Sequence, residues 1–129
     1  MFTLLQIKEA HAKVKSGADF PNYIKELIAL GVTDYETFVF DGHTIFQGGN
    51  GFKVSSEPKY SNLIISDLVD VEQFKSDLKA HQQGKTDYMT FCNDCAKSGV
   101  EKWVVSMEEL TCTYFDKKGN ELLQESIPQ

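Results

Sequence analysis

Apolar positions along this chain run first at helical and then at strand spacing, and they do so twice in the same order. Leu4, Ile7, Ala10, His11 and Val14 recur every three or four residues behind Thr3 and Gln6, a capping-box pair, so a helix is predicted over residues 3–16 with Gly17 as its stop. Asp19 caps a second helix in which Pro21 sits in the first turn. Tyr23, Ile24, Leu27, Ile28 and Leu30 form its wide apolar face, and Gly31 supplies a left-handed stop. The period then shortens to two. Residues 35–40 are rich in β-branched and aromatic side chains, Asp41-Gly42 is a strong hairpin signal, and residues 43–47 read as the returning strand. A two-residue turn there sets Phe40 opposite His43, Val39 opposite Thr44 and Phe38 opposite Ile45.

Gly48-Gly49-Asn50-Gly51 loosens the chain, and residues 52–67 read as a short strand, a polar turn around Pro58 and an apolar piece at Leu63-Ile64-Ile65. The helical period then returns. Asp70 with Gln73 opens a helix over 71–83 that carries Phe74 and Leu78, and Gly84 stops it. Asp87 caps another helix over 88–98, ended by Gly99. Strands are predicted over 101–107 and 111–116, with a last strand after the turn Lys117-Lys118-Gly119-Asn120.

The two passages echo each other at nearly constant distance, since 84 − 17 = 67 and 99 − 31 = 68. A shift of 68 lays Tyr88 on Phe20, Cys92 on Ile24, Cys95 on Leu27, Ala96 on Ile28, Val100 on Val32 and Trp103 on Tyr35, so apolar positions fall largely on apolar positions. The reading is one α+β domain over 1–129, made of two copies of a helix-hairpin-plus-strands unit at about 3–47 and 70–116. Hairpin-linked strands cannot supply the crossovers of a parallel sheet, so the sheet is antiparallel with helices packed on it. At 129 residues the copies share one core.

Composition narrows the function classes. With 41% hydrophobic and 25% charged residues the chain is an ordinary globular sequence. Its net charge of −6 repels phosphate backbones and anionic lipid, so neither nucleic acid nor membrane is an expected partner. No apolar run approaches the roughly 18 residues of a membrane span, and the first residues lose apolar character too soon for a signal-peptide core; the expected location is cytoplasmic. Three cysteines, an odd number, do not make a secreted disulfide framework.

Candidate chemistry is sparse. Cys92-Asn93-Asp94-Cys95 is a C-x-x-C that could serve redox or metal chemistry, with Cys112 as a third ligand for zinc. Yet Cys92 lies about a turn beyond the helix cap, where the dipole no longer activates a thiol, and the repeat assigns both cysteines to positions held by Ile24 and Leu27. Structural thiols are the favoured reading, with no metal and no cofactor. Gly84-Lys85-Thr86 lacks the earlier glycine and preceding strand of a phosphate-binding loop, and the glycines at 48–51 lack a dinucleotide fingerprint. His11 and His81 sit in helical patterns near apolar partners, His81 one turn after Asp77, which favours packing or an ion pair over catalysis. No catalytic residue is assigned.

The first hairpin carries the clearest signal. Thr37, Val39 and Phe46 share one face with Tyr35; Phe38, Phe40 and Ile45 share the other, interrupted by Glu36, with His43 at the accessible corner. Apolar side chains on both faces call for cover on both, and helices supply one. The other falls to residues 52–65, to a second copy of the chain or to a bound molecule. Phe38, Phe40, His43 and Ile45 are therefore the candidate partner- or ligand-binding residues, in a noncatalytic module that self-associates. The rival readings are a ligand-binding protein or small enzyme with a pocket between the copies, and a thiol or zinc protein.

Two stretches carry a family resemblance. Residues 7–42, with His-Ala-Lys-Val-Lys-Ser-Gly-Ala-Asp-Phe-Pro, and residues 74–119, with His81-Gln82-Gln83-Gly84, Phe91-Cys92-Asn93-Asp94-Cys95 and Gly99-Val100-Glu101-Lys102-Trp103, resemble the YdfO/YbcV-like family. This is a bacterial and prophage-associated family of unknown function, some members of which carry the label "phage envelope protein". The resemblance spans nearly the whole chain. It implies a compact α+β domain in a bacterial or phage-derived setting and carries over no catalytic residue.

Overall fold

Thr3 opens the first helix with the predicted reciprocal cap: its hydroxyl accepts the Gln6 N–H at 3.2 Å, and Gln6 Oε1 accepts the Thr3 N–H at 2.8 Å. The computed structural model describes residues 2–15 and 19–127. Helix α1 (Leu4–His11) ends earlier than its spacing suggests. Its exit is tightened by three-residue bonds, Lys13 N–H to Ala10 O and Val14 N–H to His11 O, and Lys13 turns to pair with Glu26 at 2.8 Å. The stop expected at Gly17 lies outside the described residues. Helix α2 (Phe20–Leu30) follows Asp19, whose carboxylate accepts the Lys15 N–H at 2.9 Å and makes no side-chain cap bond to the helix, and it ends at Gly31 with φ +97°.

Strand β1 (Val32–Phe38) starts directly after Gly31 and returns as β2 (Thr44–Gly48). The connection corrects the two-residue turn that Asp41-Gly42 suggests. Residues 39–42 form a four-residue loop, closed by Gly42 N–H to Phe38 O at 2.9 Å, so Phe38 lies opposite His43 and Thr37 opposite Thr44. The cause is tertiary: Val39 is pulled wholly into the core, the Tyr60 hydroxyl donates to its carbonyl at 2.5 Å, and the Phe40 carbonyl accepts the Leu63 N–H. The slip is two residues, so each strand side chain keeps its face. A short 3₁₀ turn (Gly49–Gly51) leads to β3 (Lys53–Ser55), and a long irregular strap follows.

Helices α3 (Val71–Gln82) and α4 (Tyr88–Lys97) are capped by Asp70 and Asp87, whose carboxylates accept the N–H of Gln73 and of Thr90. Strands β4 (Lys102–Ser106), β5 (Thr111–Phe115) and β6 (Glu121–Ser126) complete a six-stranded antiparallel sheet of order β3-β2-β1-β4-β5-β6. Among the described residues, four helices and this sheet make an α+β fold.

The two ends of the sheet are paired alike. Adding 68 to each residue turns the β1–β2 pairs Tyr35/Phe46, Glu36/Ile45 and Thr37/Thr44 into the β4–β5 pairs Trp103/Tyr114, Val104/Thr113 and Val105/Cys112. In the central β1–β4 ladder Glu36 faces Val104, its own counterpart, since 104 − 36 = 68. Left-handed backbone recurs at the same distance, at Gly31 and Gly99, Gly42 and Leu110, Gly51 and Gly119.

All four helices pack on one face of the sheet. Ile7, Tyr23, Ile24 and Leu27 meet Tyr35, Phe46 and Val105 in one buried cluster; Phe74, Leu78, Phe91 and Cys95 meet Val39, Val100 and Tyr114 in the other. Trp103 and Cys112 touch both, so the interior is continuous across the two centres.

Candidate functional site

Side chains alternate across the pleat, so the residues between the inward Tyr35, Thr37, Phe46, Trp103, Val105 and Tyr114 point to the other face. That face has three rows running across the strands. The first holds His43, Phe38, Lys102 and Phe115; the second Ile45, Glu36, Val104 and Thr113; the third Gln47, Asp34, Ser106 and Thr111. Among the described residues no helix covers it. The strap does not cover it either, contrary to one expectation: Phe52 and Val54 pack on the first cluster, while Leu63 and Ile65 belong to the second.

The first row is an aromatic and cationic stack. The His43 imidazole lies flat on Phe38, ring centroids 4.6 Å apart and planes 5° from parallel. Lys102 Nζ stands 5.8 Å from the Phe38 ring centre and 5.6 Å from that of Phe115, and it pairs with Glu36. At the corner, Asp41 is 7% exposed, and its Oδ1 lies 2.5 Å from His43 Nδ1 and 3.0 Å from the His43 backbone N, whose N–H it accepts. Burial works to raise the Asp41 pKa, but the N–H and imidazole of His43 outweigh it and hold the carboxyl below its ordinary value. The imidazole is thus fixed by a carboxylate on one side and a ring on the other.

Of the four residues singled out from sequence, Phe38, His43 and Ile45 come together on the open face, half-buried among polar neighbours. Phe40 does not. It leaves the strand with the loop, packs on the second cluster and meets His43 only edge-on, at 5.6 Å. Sequence reasoning placed Glu36 on this face but missed Lys102, Val104 and Phe115 as its neighbours. The signal was present in the alternation over 102–106 and 111–115, but which strands lie beside β1 is set by the central β1–β4 pairing, which no local pattern announces.

A concavity of about 380 Å³ lies on the same face, floored by Val104 and Thr113, walled by Phe115 and rimmed by Asp34, Glu108 and Glu109. Another, of about 410 Å³, lies between the strap at Ser66, Asp67 and Val69 and the turn at Asp116, Lys117, Lys118 and Asn120. Between the helix pairs Tyr88 meets Trp103 edge-on, and the hydroxyls of Tyr60 and Tyr88 lie beside the Cys92 thiol.

The cysteines face inward. Cys92 and Cys95 have no exposed surface, and burial raises both thiols, only partly opposed at Cys92 by Tyr60, Tyr88 and Lys59. Burial pushes Cys112 up to about 12 against a hydrogen bond from Tyr114. Such thiols are protonated and shielded at neutral pH, hence poor nucleophiles. Among the described residues no group of three or more His, Cys, Asp or Glu side chains is placed to hold a metal ion, and no helix is long and apolar enough to cross a membrane. His81 stacks on Phe91 at 4.5 Å with Nδ1 toward Thr86 O, and His11 packs edge-on against Tyr23 at 5.3 Å. Of the two readings for His81, packing is the one the geometry displays.

No curated protein matches the chain. A family model described as "Protein of unknown function (DUF1398)" matches residues 8–126, nearly the whole chain, and the protein belongs to that family.

Proposed function

We propose that this protein is a noncatalytic interaction module, built from two fused copies of a helix-hairpin unit, that self-associates through its open sheet face. The observation that carries the reading is the one-sided fold. Every helix among the described residues lies on one face, while Phe38, Ile45, Val104 and Phe115 stand on the other without contributing to either core cluster. Apolar side chains on an uncovered sheet favour burial against a second surface, at roughly 25 cal/mol per Å² removed from water. The duplication is supported by the shared ladder register at the 68-residue offset. Three free cysteines, two wholly buried, suit a reducing compartment such as the cytoplasm, and the resemblance noted above suits a bacterial or prophage-derived setting.

Sedimentation over a range of concentrations tests this, with Val104→Lys as the disrupting variant. A lysine there stands opposite Glu36, a favourable cross-strand pair, so the monomer is expected to keep its thermal midpoint while the dimer is lost. A wild-type protein that stays monomeric at every concentration removes the reading. The concavity on this face favours a second reading, a small ligand bound across both copies. A metabolite that raises the thermal midpoint of wild type but not of Val104→Lys would favour it.

A further inference from the structure

Charge on the open face is unevenly distributed along the strands. Lys102 lies in the first row between Phe38 and Phe115, whereas Asp34 lies in the third row, and Glu108 and Glu109 lie on the turn just beyond it, where all three rim the concavity. Glu108 and Glu109 are exposed; Asp34 is held by the Gln47 amide at 3.1 Å; Lys53 stands at that end too, at the β3 edge of the sheet. One end is therefore aromatic around the Lys102 ammonium, which Glu36 already pairs and near which Glu121 stands opposite Phe115, while the other carries an excess of unpaired carboxylates at Glu108 and Glu109.

A two-fold axis lying between two stacked sheets can run along the strands or across them. Running along the strands, it puts like ends together, and Asp34, Glu108 and Glu109 of one copy meet the same three carboxylates of the other. Running across the strands, it sets each acidic end over the Phe38–Lys102–Phe115 row of the partner copy and leaves the Glu36/Val104 row at the middle facing itself. Coulomb repulsion in a desolvating interface penalises the first arrangement, and opposite charge favours the second. Resting on the self-association reading above, we propose that two copies of this chain dock open face to open face with their strands opposed. The acidic turn of each then covers the aromatic and cationic row of the other. Such an interface is isologous and closes at two copies.

The test is the sign of a change in dimer affinity. Glu108→Gln combined with Glu109→Gln removes charge from two exposed side chains while keeping their shape. With ends opposed, the dissociation constant rises about three- to tenfold, as expected for losing exposed ion pairs at two symmetric contacts. The affinity advantage of wild type over this variant also shrinks as salt is raised from about 0.05 M to about 0.5 M, which shortens the screening length; the comparison sets aside most of the overall repulsion between two chains of net charge −6. A tighter dimer on neutralisation means like ends meet and overturns the proposal; so does an affinity that neutralisation leaves unchanged. If Val104→Lys still abolishes the dimer in those cases, self-association through this face stands and only the orientation falls. A wild type that never dimerises removes both.

Discussion

Ile24 and Leu27 fill the interior of the first half where Cys92 and Cys95 fill that of the second, 68 positions further on and equally shut off from water. The difference is compensated nearby. Ile7, four residues past the Thr3 cap, has Phe74 as its counterpart four residues past the Asp70 cap, and Tyr35 has Trp103. Cys95 shares the second cluster with Phe74, Phe91 and Tyr114, and Cys92 lies beside Tyr60 and Tyr88. The larger rings at Phe74 and Trp103 take up part of the space that the shorter thiols leave, in keeping with a close-packed interior. What the halves teach is that the cysteines are explained as partners of large rings before any chemistry is asked of them.

The comparison is broken most forcefully at its two matched core positions. Phe74→Ala is expected to cost about 3–5 kcal/mol, and Ile7→Ala about 2–4 kcal/mol, because each empties a site that is at most 3% exposed. Trp103, the single tryptophan, touches both clusters, so its fluorescence reports on both halves. Urea unfolding followed by fluorescence and by far-UV circular dichroism should give one coincident transition that moves in both variants. Separate transitions, with only one moved by each variant, would mean two independent cores and would sink the shared interior.

How much of this was legible beforehand depends on the range of the interactions involved. Caps were readable because they are local: Thr3 with Gln6, Asp70 and Asp87 all bond as their spacing implies, and Gly31 and Gly99 adopt the left-handed stop. The Asp41-Gly42 turn was misjudged because its length is decided by Tyr60 and Leu63, some twenty residues away, which hold Val39 and Phe40 out of the ladder. Asp19 failed as a side-chain cap for a similar reason, its carboxylate being engaged by the preceding loop. For the candidate face, alternation in the hairpin named Phe38 and Ile45, but only the β1–β4 pairing brings Lys102 and Phe115 beside them.

A second way to sharpen the comparison uses the matched turns. Gly42 and Leu110 correspond at the 68-residue offset, and both are left-handed, φ +76° and +57°. Gly42→Ala forces a β-carbon into that backbone and to 2.7 Å from Cε2 of Tyr60, a ring tethered through its hydroxyl to Val39, so a loss of roughly 1–3 kcal/mol is expected. Leu110→Gly does the reverse. It relieves about 1 kcal/mol of left-handed strain and gives up partial packing on the first cluster, for a net change within about 1 kcal/mol. Denaturant midpoints decide: a Gly42→Ala variant as stable as wild type would show that the strap yields to the turn rather than fixing it.

The smallest effect, and the most specific to the first half, lies at Asp41. Its counterpart Glu109 is exposed, whereas Asp41 is buried and holds the His43 backbone and imidazole. The folded carboxyl titrates below its ordinary value of 3.8, so its ionised form is favoured by folding. The resulting stabilisation is present above that value and disappears as pH falls through the lower, folded one. Asp41→Asn keeps an acceptor for the N–H but cannot titrate. The gap in thermal midpoint between wild type and Asp41→Asn should therefore be modest near pH 7 and should close as pH drops below 3.8. A gap that stays constant down to acid denaturation would show that the carboxylate's charge does not hold His43 against Phe38, and the corner of the open face would then be set by packing alone.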